Sequence, residues 1–507
     1  MKILKMIFWQ LGVAGYCSVG LLAAELYISP TGTSDGTGRK DQPLDIATAL
    51  SDKSPAQPGD TLLFLGDVYT GPHETTLIVT PWKLSVSGTA EKPIKIRPAP
   101  GALVLLNGLI ALTGSYVQLI DLNIGDPDWN MNVLPKDHHD GRTAILNGLG
   151  GTGAKIINCN LFGGSMPIGA WEPCHDLEIY GCLLHDFGYT NNAGKYVHAI
   201  YTQNSAGTKT IEHNLAYRGS GWNLHAYGRE GHLSGYDIIE NIFYIAGAVV
   251  PKRTVDNFLV ASKKPADRIR LIGNVAYQPV DAEMWRPNAR MTSYSPATNG
   301  TGVCKDNYFA GASYGLSIGN WQQMEITSNT IWATGILLEI SSVTTGSGVA
   351  TKARPDLAGY TVDNNTYYDN GKAKSFKYGP PSSANTDELQ DWAGWQKLGL
   401  DKHSQMLPGK DGKPTGTKAF VFANKYENGR AQVGIFNWDG KDQVEVDLSS
   451  ALKVGQKFAV YNCLDITQTI AQAKPVLTAT YDGHPVPLPM RKYKISPDFD
   501  AFLVLLR

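Results

Sequence analysis

Two short segments of this chain, VHAIYTQN and LHAYGRE, carry the residue types that move protons. The first holds His198 and Tyr201, and the second holds His225, Tyr227 and Arg229. An imidazole gains or loses its proton near neutral pH, and a positioned phenol or cation can complete an acid–base pair. Lys252 follows in the next stretch. Around these lie Lys195, Trp222, Arg253, Asp256, Asp281, Glu283, Trp285 and Arg286. Cations beside aromatic faces suit a sugar chain, above all an acidic one. Aromatic rings stack on the C–H faces of sugars, and Arg and Lys hold carboxylates.

Removing the proton beside a uronate carboxylate needs a cation for the carboxylate, a base for the proton and an acid for the departing oxygen. His198, Tyr201, His225, Tyr227, Arg229 and Lys252 supply each part. Hydrolysis instead needs two carboxyl groups about 5–9.5 Å apart, and Asp186, Glu230, Asp256, Asp281 and Glu283 keep that route open. A groove that only binds and releases glycan is a third reading. Two stacked histidines also suit a packed ladder whose nitrogens bond to backbone.

Whatever the reaction, something must bring these residues together, and a repeat does so. Short strands recur with one polar residue at a fixed place: Asn123, Asn160, Cys182, Asn214, Asn241, Asn274, Asn307, Asn329 and Asn365. From Asn160 the steps are 22, 32, 27, 33, 33, 22 and 36 residues. A coil of three strands of about five residues plus bends explains the shortest step, and longer turns must leave the coil as loops. Asn at a bend tolerates left-handed backbone, and its amide can bond to the next coil. Propeller blades repeat at about 40 residues or more, and sandwiches have no fixed Asn register. His198 and His225 each lie 16 residues before an Asn of the series. Equal offsets place them at one level of adjacent coils, about 4.8 Å apart. The surplus residues then fall at 186–197, 216–224, 248–257 and 279–290, all at one bend, lining one side of a groove.

The opening region, LYISPTGTSDGTGRKDQPLDIATAL, PGDTLLFLGDVYTG and SGTAEKPIKIRPAPGALVLLNG, resembles that of chondroitinase-B-like and pectate-type proteins. With the Asn series it resembles the pectate-lyase-like superfamily over residues 26–375. The resemblance implies a right-handed parallel β-helix, a capping helix near Leu44–Asp52, and lyase or glycosidase chemistry on polysaccharide. No Lys–Arg pair sits in a repeated strand slot, where chondroitinase-B-like lyases place theirs.

The division expected is a signal peptide over 1–24, the β-helix over 25–375, a linker with a short helix over 376–415, and a β-sandwich-like domain over 416–507. The helix is expected to start near Thr386, and the last domain either caps the final coil or binds carbohydrate. Lys2 and Lys5, then the apolar run from Ile7 to Leu22 and Ala23–Ala24, have the pattern of an export signal, so a secreted or periplasmic location is expected. The 18% of charged residues and net charge of −1 give no long-range pull toward nucleic acid or membrane. A monomer with a polysaccharide partner is expected. Five cysteines remain after cleavage, read as small buried side chains with room for one bridge such as Cys174–Cys182. Asp126, Asp128, Asp137 and Asp140 could hold Ca²⁺, although their spacing matches no known loop.

Overall fold

The computed structural model describes residues 23–71, 82–132, 144–190, 197–228, 231–247, 249–250, 255–279, 287–294, 297–342, 354–379 and 388–507. Its first body is a right-handed parallel β-helix of three twelve-stranded sheets. One coil runs Lys209–Glu212 in the first sheet, Leu215–Tyr217 in the third and Trp222–Gly228 in the second. Each strand pairs in parallel with its counterpart one coil on, as Lys209–Glu212 does with Tyr236–Ile239. Alternation explains the core. Ile179, Ile211, Ile238, Leu271, Cys304, Ile326 and Val362 stack inward along the first sheet. Burying such a side chain stabilises by roughly 1.5–3 kcal/mol, and each coil supplies the cover for the next.

The Asn series forms a hydrogen-bonded ladder from Asn214 onward. Each side-chain Nδ2 donates to the next Oδ1, through Asn241, Asn274, Asn307, Asn329 and Asn365, at 2.8–3.1 Å. Asp401 ends it, accepting from Asn365 at 2.9 Å. Two details differ from expectation. Asn123 and Asn160 pair with each other, and Asn160 with Leu183, so Cys159 rather than Asn160 fills the slot below Cys182. The left-handed backbone angles fall one residue earlier, on His213, Glu240, Gly273, Asp306, Ser328 and Asn364. The ladder Asn therefore serves through its amide, which satisfies buried backbone groups that no water reaches. A second ladder, Asn223–Asn257–Asn288, runs at 2.8 and 2.9 Å where coils enter the second sheet.

At the first end, a helix over Ile46–Leu50 is capped by Asp45, whose side chain accepts from Thr48 N at 2.9 Å; Ala49 and Leu50 close the core. At the other end the helix spans Trp392–Lys397 with Asp391 as its cap, later than expected. Leu389 and Gln390 are held extended by antiparallel pairing with Lys377 and Phe376, which delays the helix start. Thr386 lies outside the described residues. Trp395, fully buried against Phe376, seals the last coil.

The C-terminal residues form a five-stranded antiparallel sheet, from Thr417–Ala423 to Phe499–Leu506, with a two-stranded sheet packed on one face. Its other face does not cap the last coil. Phe436, Phe499, Ala501 and Leu503 lie against Tyr217, Tyr244, Tyr277 and Trp332, on the flank of the third sheet. Cys159, Cys174, Cys182, Cys304 and Cys463 are all free and buried, so the Cys174–Cys182 bridge is absent. Among the described residues, no helix is long and apolar enough to cross a membrane.

Candidate active site

The longer connections 186–197, 218–221, 245–257 and 279–286 each run from a strand of the third sheet to one of the second. The described strands on either side of them meet at one corner of the stack. The second sheet begins there, and its outward row is set by register. Tyr201 pairs with His225, then Leu259, Arg290, Ser317, Glu339 and Lys377 follow coil by coil. Their neighbours Ile200, Leu224, Phe258, Leu316, Leu338 and Phe376 point into the core, so this row faces out of the cylinder.

His198 pairs with Trp222, and His225 with Tyr201, so the two histidines are not at one level as expected. Thr202 precedes Lys209 by seven residues, but their partners Ala226 and Tyr236 are ten apart. Those three extra residues fall after His225, and they hid the shift behind equal offsets to the Asn series.

The rings meet nonetheless. Ala199 and Ile200 both turn inward, which leaves His198 and Tyr201 on the same outer face with ring centroids 4.9 Å apart. Asn223 is held by its ladder and Leu224 turns inward, so Trp222 stacks on His225 at 5.2 Å. The imidazoles of His198 and His225 lie 4.6 Å apart, with Nδ1 to Nδ1 at 3.2 Å. In such a contact one nitrogen donates and the other accepts, so at least one ring is neutral. Tyr227 also stacks on His225, at 4.9 Å, and Trp171 and Tyr201 meet edge-on at 5.0 Å.

Loss of hydration, then the charge of Arg290, pushes the His225 pKa down to about 3. His225 is therefore an uncharged base at neutral pH. Arg290 is buried and donates to Asp256 at 2.6 Å. Burial opposes its charge, but Asp256 and the other surrounding acids keep it protonated. Two coils on, Glu339 and Lys377 form another buried pair at 3.0 Å, with Ser317 donating to Glu339 at 2.6 Å.

Of the residues singled out in the sequence, His198, Tyr201, Trp222, His225 and Tyr227 come together. Asp256 does not serve as a substrate contact. It is fully buried, and burial pushes its carboxyl up against the pull of Arg290. Lys195, Arg229, Lys252, Arg253, Asp281, Glu283, Trp285 and Arg286 lie outside the described residues, as do Asp137 and Asp140. Arg290, Trp171 and Tyr294, whose ring lies 5.7 Å from that of Tyr227, were missed. A signal existed: Asn223, Asn257 and Asn288 each stand two residues before His225, Leu259 and Arg290. Among the described residues no three metal-type ligands come together, and Asp256 and Glu339 on this face are each bonded to a cation. These residues do not fit a Ca²⁺ site.

No protein-family model matches the chain. A stretch of 88 residues is 34% identical to pectate lyase PEL9 of Emericella nidulans; it covers 17% of this chain and 19% of that protein. The chain thus spans about a fifth of that curated relative. Among solved structures, pectate lyase Pel9A is 14% identical, covering 61% of this chain and 80% of its own, with a TM-score of 0.34. The polysaccharide lyase family 6 protein Pedsa3628 of Pseudopedobacter saltans is 12% identical, covering 73% and 93%, with a TM-score of 0.41. The fold, as its own three sheets show, is a parallel β-helix. What reaction this face performs is a separate question, because one scaffold carries many chemistries.

Proposed function

We propose that this chain is an exported enzyme that cleaves an acidic polysaccharide by β-elimination on the outer face of the second sheet. The observation that carries the reading is the uncharged His225, in ring contact with His198, Tyr201, Trp222 and Tyr227. A base must be unprotonated to accept the proton beside a uronate carboxylate, and His225 is unprotonated throughout the neutral range. Its proton affinity is too low for efficient transfer while burial and Arg290 both depress it. A substrate carboxylate beside the ring offsets Arg290 and raises that affinity, so the bound anion arms its own base. The His198 contact lets a proton gained by one ring be shared with the other. Tyr201 or Tyr227 then protonates the departing oxygen. In this reading Lys195, Arg229, Lys252, Arg253 and Arg286 hold the carboxylates, and Trp171 and Trp222 stack on sugar rings.

Among the described residues, no carboxylate pair on this face is arranged for hydrolysis. Asp256 and Glu339 are each buried against a cation, and neither stands free as acid or base. The test is incubation with pectate, alginate and glycosaminoglycans while following the ultraviolet absorbance of unsaturated uronate ends. Rising absorbance with new reducing ends supports elimination; reducing ends without absorbance would replace it with hydrolysis.

A further inference from the structure

One core position of the first sheet carries a charge. Lys209 is 1% exposed and points inward with Ile211. Along the same row the following coils place Tyr236, Ile269, Gly302 and Met324, all uncharged. Burying an ammonium is costly, so an apolar side chain would serve packing alone better than Lys209 does. Its Nζ donates to three main-chain carbonyls, Ala170 O at 2.9 Å, Trp171 O at 2.7 Å and Gln203 O at 2.6 Å. An ammonium has three N–H groups, and all three are used. The carbonyls lie where the strands Met166–Ala170 and His198–Thr202 end, at the corner where the second sheet gives way to the first. Trp171 is held from its other side as well. Its N donates to Gly148 O at 3.0 Å and its Nε1 to Asn147, and its ring meets Tyr201 edge-on at 5.0 Å. Lys209 thus ties together two successive coils, one bearing Trp171 and the other Tyr201.

We propose that Lys209 is a positioning residue, whose ammonium sets the Trp171 ring against Tyr201 and so builds the sugar-stacking wall of the His225 face. The role in binding rests on the proposed function; the hold on the ring does not. That hold depends on charge. Loss of hydration pushes the Lys209 pKa down to about 8, against the pull of Cys174 and Glu172. Glu172 is itself bonded to His232 at 2.9 Å, Asp176 accepts from Thr208 N at 2.8 Å, and burial keeps the Tyr236 phenol protonated. A neutral amine has two N–H groups for three carbonyls, so one carbonyl loses its donor when Lys209 gives up its proton.

The experiment is fluorine NMR of the full chain labelled with fluorotryptophan, the Trp171 signal being assigned with Trp171→Phe. In the natural chain that signal is expected to shift with rising pH, with its midpoint at about 8. In Lys209→Met, a side chain of similar length without charge, it is expected to start displaced and stay flat. The titration of the natural chain stands even where Lys209→Met folds poorly. With a polyuronate substrate at neutral pH, Lys209→Met is expected to raise KM by about fivefold to tenfold and to change kcat by less than about twofold. A Trp171 signal that ignores pH, or that moves identically in Lys209→Met, would overturn the hold on the ring. A displaced ring with an unchanged KM would assign Lys209 to packing. A chain that turns over no polyuronate strikes the proposed function instead, and the fluorine signal still decides whether Lys209 holds the ring.

Discussion

His225 and His198 touch through their Nδ1 atoms at 3.2 Å although His225 is in register with Tyr201, one coil below. The contact is made by side chains reaching across a bend, and the bend exists because two successive residues turn inward before each outward ring. A proton taken by His225 has a neighbour to share it. Replacing His198 by Ala is accordingly expected to slow turnover by about tenfold to a hundredfold, with kcat falling more than KM changes. Equal losses in binding alone would assign His198 to packing.

Protonation of His225 should follow substrate. With its pKa pushed down to about 3 from 6.5, His225 is neutral in the folded chain at pH values where the unfolded chain is already charged. A depressed histidine pKa favours folding above the unfolded value and withdraws that support as pH falls through the window from 6.5 toward 3. The thermal unfolding temperature is expected to drop as pH falls across that window, and less so in His225→Gln. Nitrogen NMR of labelled imidazoles should show the pKa rising when oligogalacturonate binds.

Arg290 and Asp256 form a buried pair at 2.6 Å, and a buried charge without its partner is costly. Arg290→Met alone is expected to destabilise by about 3–5 kcal/mol, and Arg290→Met with Asp256→Leu by far less. Denaturant unfolding of the two variants measures the difference. The double variant should also raise the His225 pKa, because the second cause of its depression is gone.

The fold was legible because its signal is repeated. Nine slots in the sequence carried the coil, and the ladder from Asn214 to Asn365 forms as those spacings require. The early slots misled by one residue because Asn123 and Asn160 lie beside apolar or sulfur residues that hold the true position. The grouping of the candidate site was half legible. His198, Tyr201, His225 and Tyr227 were picked out by two matching segments and Trp222 by its place in a surplus stretch, but the level of the histidines was wrong, because three extra residues after His225 make its offset to Asn241 equal to that of His198 to Asn214. Arg290 was invisible for a different reason. Its importance is electrostatic and comes from facing His225 across an intervening coil, which only the second Asn ladder, in hindsight, marks.

The ladder itself can be tested. Asn274 accepts from Asn241 N and Nδ2 and donates to Ile238 O and Asn307. Asn274→Ala would leave buried groups unmet on both sides, at a cost of about 1–3 kcal/mol for each. A loss above 2 kcal/mol is expected in denaturant unfolding, while Asn364→Gly, at a left-handed position with φ 58°, should be neutral or stabilising.

The flank contact gives another test. Cutting the chain after residue 415 would bare Tyr217, Tyr244, Tyr277, Tyr308 and Trp332, now buried against the C-terminal sheet. An exposed aromatic patch of that kind drives association. The truncated chain is expected to aggregate or bind a hydrophobic dye strongly, and a soluble, dye-silent product would show that the domain is dispensable for the coil.

The central claim is that an uncharged His225 on the outer face of the second sheet removes a proton next to a uronate carboxylate. The most direct measurement is the rate of ultraviolet absorbance growth with a polyuronate substrate, compared between the natural chain and His225→Ala at matched unfolding temperatures. Growth in the natural chain that falls by about a hundredfold or more in the variant is the expected result. Growth that survives the substitution unchanged would contradict it.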